Sequence, residues 1–160
     1  MNWEYVSKLQ KGCAFIPCYL KGTGKATKIF YADGKCEHIN YSISKVINDY
    51  FNINMRSVEN IKRYCSKITG KKSITPLYLK KNCIFMPIKT LKPCTRGDKC
   101  IGYVNIEYIS SVNFIEQVIT LRNGNTIEFM DCSETIKKRI ADCALIKQSI
   151  EINLLNYNGE

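Results

Sequence analysis

Histidine and tryptophan each occur once in these 160 residues, and no run of about 20 apolar residues exists that could cross a bilayer as a helix. The first shortage leaves His38 as the sole imidazole. It lies in "CEHIN", a strand-like context that suits a structural histidine better than a catalytic base. The second leaves no candidate membrane span. The N-terminal "MNWEYVSKLQKG" also mixes acid and base where a secretory leader needs an apolar core. A cytoplasmic, nucleoid-associated protein with no membrane partner is expected.

Closely spaced cysteine pairs are missing as well. The nine cysteines (13, 18, 36, 65, 83, 94, 100, 132 and 143) contain no C-x2-C, and the nearest pairs are Cys13 with Cys18 and Cys94 with Cys100. A tetrahedral metal site wants tighter ligand pairs, so no metal and no cofactor is expected. An odd number of cysteines in apolar surroundings such as "GCAFIPCYL" suggests reduced, mostly buried thiols. Cys94 or Cys100, beside Arg96 and Lys99, keeps a redox-sensing reading open. The acidic residues form no spaced pair. "GTG" at 22–24 is too short for a phosphate loop and is followed by strand rather than helix. No enzyme is expected.

What the chain has is positive charge: 24 Lys and Arg against 14 Asp and Glu, formally +10. Such an excess argues about partners rather than fold, and polyanions are the natural candidates. The organisation expected is one α+β domain of short antiparallel strands and hairpins, with a central helical pair and a C-terminal helix. It divides into strand-rich residues 5–40, helical 42–69, strand-rich 73–130 and a closing helix over 133–153.

Local patterns support that division. Asp33-Gly34 and Asn123-Gly124 read as hairpin turns, the latter as a two-residue type I′ turn. Ile43, Val46, Ile47, Tyr50 and Phe51 recur at helical spacing behind Ser42 as a cap. In "YVNIEYI" the alternation predicts one strand, with Tyr103, Asn105 and Glu107 on a wet face. The closing helix should turn Ile136, Ile140, Cys143, Ala144 and Ile150 inward. Lys137, Lys138 and Arg139 sit near its start, where cations oppose the helix dipole, a placement that suits service to a partner. The ten tyrosines read mainly as core.

The second helix carries the main functional signal. "NMRSVENIKRYCSKITGKK" sets Val58, Ile61, Cys65 and Ile68 on one side and Arg56, Asn60, Arg63 and Lys67 on the other, with Lys62 alongside and Lys71-Lys72 just past Gly70. Only Glu59 offers a neutralising charge nearby. Any surface helix is polar outside, yet such a one-signed ridge on a rigid element suits phosphate contact. The loop "KPCTRGDK" adds Lys92, Arg96 and Lys99. No helix-turn-helix signature strong enough to name a recognition helix is present, and no aromatic RNA-binding motif.

The order "GCAFIPCY", "YCSKITGKKSI", "CIFMPIKT", "CIGYVNIEYI", "ITLRNGNTIEF" and a closing helix from Ser133 resembles the competence transcription factor family, ComK, over residues 5 to 152. The most specific points are Phe85, Pro87, Thr90, the Cys100 to Ile109 strand and Asn123-Gly124. The resemblance implies a transcriptional activator that binds AT-rich double-stranded promoter DNA through the minor groove and phosphates. It also implies a homo-oligomer, dimer or higher, and allows contact with RNA polymerase. Tyr103 stands where the family has a tryptophan, and Lys71 matches a family lysine. The family's Gly-Arg-Lys segment is met by Ser57, Val58 and Glu59, its cations displaced to Arg56, Lys62 and Arg63. The expected DNA-binding residues are therefore Arg56, Lys62, Arg63, Lys67, Lys71, Lys72, Arg96 and Lys99. The alternative function is a protein-interaction module or anti-activator of the same family that no longer binds DNA.

Overall fold

The structure is a computed structural model that describes residues 2–90 and 100–158, with side chains to residue 153. It is an α+β fold whose first element departs from expectation. Residues Trp3–Lys11 form a helix, α1, rather than strand. Asn2 caps it, its side-chain oxygen accepting from the Tyr5 amide at 2.7 Å, and Tyr5 and Leu9 bury one face at i, i+4 spacing.

A six-stranded antiparallel sheet follows: β1 (Gly12–Leu20), β2 (Gly24–Tyr31), β3 (Cys36–Ile39), β4 (Leu77–Lys80), β5 (Cys83–Lys89) and β6 (Ile101–Asn105), in spatial order β3-β2-β1-β6-β5-β4. The near-continuous apolar runs of β1 and β5 fit strands covered on both faces. On one face, α1 and α2 (Ile43–Ile53) bury Leu9, Phe15, Ile29, Tyr50, Phe51 and Phe85. Phe15, Tyr50 and Phe85 pack ring to ring with centroids 5.0 to 5.7 Å apart. On the other face lie Ile16, Ile84, Met86, Ile88 and Val104, covered by a second sheet and the last helix.

That second sheet, β7 (Ile109–Asn113), β8 (Val118–Leu121) and β9 (Thr126–Glu128), exists because "YVNIEYI" is not one strand. Asn105 is buried rather than wet. Its Oδ1 accepts from the Glu107 amide at 3.1 Å and its Nδ2 reaches Cys83 Sγ at 3.7 Å. This local bond competes with the ladder and bends 106–108 into a 3₁₀ turn that carries the chain across to β7.

The Asn123-Gly124 turn is not type I′ either. Only Gly124 has positive φ (93°); its amide donates to Leu121 O at 2.9 Å, and the Leu121 amide donates to Asn125 O at 2.8 Å. This is the three-residue loop with a glycine bulge, and Tyr31 to Lys35 repeats it around Gly34.

The closing helix, α4 (Ser133–Asn158), is longer than expected. Ile136, Cys143 and Ile146 are buried, whereas Ala144 is exposed. Arg139, expected to suit a partner, is engaged within the fold: it pairs with buried Asp131 at 3.0 Å and donates to Pro87 O at 2.9 Å, while Lys137 lies 5.0 Å over the Phe114 ring. Of the tyrosines, only Tyr5 and Tyr50 are fully buried among those described, and Tyr41 and Tyr64 are exposed. None of the eight described cysteines is in a disulfide; Cys13, Cys65, Cys83, Cys100 and Cys143 are buried, Cys36 and Cys132 exposed. Cys94 lies outside the described residues. Among the described residues, no helix is long and apolar enough to cross a membrane.

Candidate nucleic-acid interface

The basic ridge is a real helix face. Ser57 caps α3 (Val58–Thr69), its hydroxyl accepting from the Asn60 amide at 3.3 Å. Cys65 is fully buried, with Val58, Ile61 and Ile68 half-buried beside it, and this face packs on β4 and α4. Burial pushes the Cys65 thiol pKa up, which keeps it an uncharged apolar filler. Glu59 lies in the first turn and Lys67 in the last, both favourable to the dipole.

The helix stops at Gly70, whose left-handed φ of 74° lets its amide donate back to Ser66 O at 2.8 Å. The Lys71 amide then donates to the Thr69 hydroxyl at 3.3 Å. This reversal sets Lys71 and Lys72 beside the outer face of α3 instead of extending its axis. The outcome is a shallow, open depression of about 710 Å³ lined by Glu59, Lys62, Arg63, Ser66, Lys67, Gly70, Lys71 and Lys72. Among the described residues, none of its five cations is in an ion pair. Lys71 is within electrostatic reach of α4: burial raises the Asp142 carboxyl pKa, while Lys71 and Arg139 pull it down.

Five of the eight expected residues therefore share one surface. Arg56 does not line it. It belongs to the α2–α3 turn and is exposed there; burial raises the Tyr78 hydroxyl pKa, and the Arg56 charge pulls it partly back. Arg96 and Lys99 lie outside the described residues. The chain enters and leaves their segment next to the ridge, since Lys89 and Cys100 both line a cleft of about 600 Å³ between α2, α3 and the ends of β5 and β6. Lys62 borders this cleft and the depression alike, and Tyr103 lines the cleft wall.

The sequence reading overlooked Ser66, although it stands three residues from Arg63 and four from Lys62 on the same helical stripe. His38, expected as a structural histidine, is exposed on β3. Among the described residues, no group of three or more His, Cys, Asp or Glu is placed to hold a metal ion. The chemistry available in the depression is anion contact by fixed cations.

Comparison with known proteins finds no matching family model, no matching curated protein and no matching solved structure. The functional reading therefore rests on this surface and on the sequence.

Proposed function

We propose that the protein is a DNA-binding transcriptional activator of the kind the ComK resemblance implies, contacting AT-rich duplex DNA through phosphates and the minor groove as a homo-oligomer. The observation that carries this reading is the open depression in which Lys62, Arg63, Lys67, Lys71 and Lys72 converge around the single carboxylate of Glu59, none of the five in an ion pair among the described residues. A one-signed cluster on a helix face creates a local positive potential that draws polyanions. A shallow concavity edged by cations fits the convex ridge of a sugar-phosphate strand, and released counterions supply the affinity. Narrow A·T minor grooves add a stronger negative potential for arginine or lysine.

Fluorescence anisotropy decides it, using an AT-rich duplex with A-tract and T-tract boxes against a GC-rich duplex of equal length, across a salt series. AT-selective binding that persists at physiological salt is expected. Equal, weak binding to both, in the range of about 10⁻⁴ to 10⁻⁶ M and lost with salt, would overturn it.

A second reading, a protein-interaction module or anti-activator, draws on a different observation. Ile115, 94% exposed, crowns the β7–β8 turn beside Glu116. Asn113 holds that turn rigid, its Oδ1 accepting from the amides of Ile115 (3.0 Å) and Glu116 (2.9 Å). A fixed aliphatic tip next to an acid suits a protein partner better than DNA.

A further inference from the structure

The α2–α3 turn holds a residue that neither the core nor the basic depression uses. Met55 has a φ of 59° and is 95% exposed. Left-handed backbone disfavours a long side chain, and glycine or asparagine would fill the position at lower cost. The turn is nonetheless tightly specified. Met55 and Arg56 donate their amides to Asn52 O (3.0 Å) and Phe51 O (2.9 Å), and Asn54 Nδ2 donates to Tyr50 O at 2.8 Å. A strained, rigidly held residue whose apolar side chain meets only solvent calls for an external contact.

Its surroundings indicate which contact. Arg56 follows it directly and is exposed. The β4–β5 turn, with exposed Lys80 and Lys81, lies at the same end of the molecule, because Tyr50 of α2 meets Cys83 at its far side (hydroxyl to Sγ 3.8 Å). Helix α3 has 12 residues, so about 18 Å separates this turn from Lys71-Lys72 at its other end. That span is about five base-pair steps at roughly 3.4 Å each. Ile115 is equally exposed but is followed by Glu116, so the same argument does not reach it.

Resting on the DNA-binding reading above, we propose that Met55 is an apolar wedge: it enters a base step from the minor groove and kinks the duplex, with Arg56 on the groove floor or wall beside it and the α3 cations gripping the backbone several steps away. Flexible pyrimidine-purine steps such as TA unstack most easily, which matches an AT-rich target.

The test is resonance energy transfer between dyes at the two ends of an AT-rich duplex, with a central TA step or a central AA step, together with affinity from the same titration. The full chain should bend the TA duplex by some tens of degrees, within the roughly 20–90° that such wedges produce. Met55→Ala should abolish most of that bend and weaken TA binding about tenfold, the scale of one lost stacking contact, with little effect on the AA duplex. Met55→Gly should do the same while raising the melting temperature by relieving the backbone, which separates the contact from folding. Ile115→Ala should leave binding and bend unchanged. Wild-type bend and affinity in Met55→Ala, with salt-dependent DNA binding intact, would overturn the wedge alone. No AT-selective binding by the unaltered chain would overturn the wedge together with the reading beneath it.

Discussion

The side-chain amide of Asn123 donates to the main-chain carbonyl of Tyr31 at 2.8 Å, joining the tips of two hairpins 92 residues apart in the chain. Asn125 adds a parallel bond, Nδ2 to Gly34 O at 3.0 Å, and Asn123 Oδ1 also closes its own turn by accepting the Asn125 amide at 2.9 Å. The Asn-Gly hairpin is thus a clasp that ties the three-stranded sheet to the end of β2.

Removing the clasp has a defined cost. Asn123→Ala loses the Tyr31 bond and the turn bond and should destabilise the fold by about 1–3 kcal/mol, while Asn125→Ala should cost about 1 kcal/mol. Urea denaturation measures both. A double variant costing less than the sum is expected, because each amide helps position the other.

Asp131 and Arg139 form the second tie, their side chains only 6% and 12% exposed. Asp131 Oδ2 also accepts the Lys89 amide at 2.7 Å. Asp131→Ala strands a buried guanidinium and should cost about 3–5 kcal/mol, whereas replacing both residues with apolar ones of similar size should cost less. Denaturation midpoints equal for the single and double variants would show that the stranded guanidinium carries no penalty of its own.

The ridge should govern DNA affinity without governing stability. On the proposed DNA-binding reading, Arg63→Glu with Lys67→Glu removes two phosphate contacts, so the slope of log affinity against log salt should fall by about two and binding should weaken for every sequence alike. Both side chains are exposed, so the melting temperature should hold. Affinity and slope both unchanged would overturn the assignment of DNA contacts to this ridge.

Thiol chemistry should follow burial. Cys132 at the start of α4 is exposed, and its thiol pKa is lowered by hydrogen bonding to the Thr135 side chain and amide, so it should alkylate first at neutral pH. Burial pushes Cys13 up to about 11 and Cys143 higher still. Both should resist iodoacetamide in peptide mapping until the protein unfolds. The sign for stability is fixed by linkage: the unfolded thiols ionise near pH 9 while the folded ones stay protonated, so stability is fully present below about pH 9 and declines as pH rises towards 11. Unfolding midpoints measured from pH 8 to 11 should show that decline, and Cys13→Ala should reduce it.

Much of this architecture was legible because it is local. Periodicity located α2 with its Ser42 cap and α3 with its Gly70 end, while the sequence left Ser57 and Asn54 both open as the start of α3 and the structure caps it with Ser57. It missed α1, where Tyr5 and Leu9 offer only one helical pair over nine residues, too short a run to stand out. It joined β6 to β7 because apolar alternation continues through Asn105, and only the packing of that side chain against Cys83 reveals the break. It misjudged Arg139 because a cation near a helix start reads as surface until Asp131, eight residues earlier, is seen to fold over it.

The sequence by itself determined the charge excess, the helix that carries the ridge and the turns that end its strands, since these depend on neighbours a few residues apart. Tertiary structure alone decided which cations gather. The reversal at Gly70 brings Lys71 and Lys72 onto the face of α3, while Arg56, on the same helical stripe in the sequence, does not line the depression they form. It also decided that one hairpin tip locks onto another. Such choices depend on groups far apart in the chain, whose distance is set only when the whole core closes.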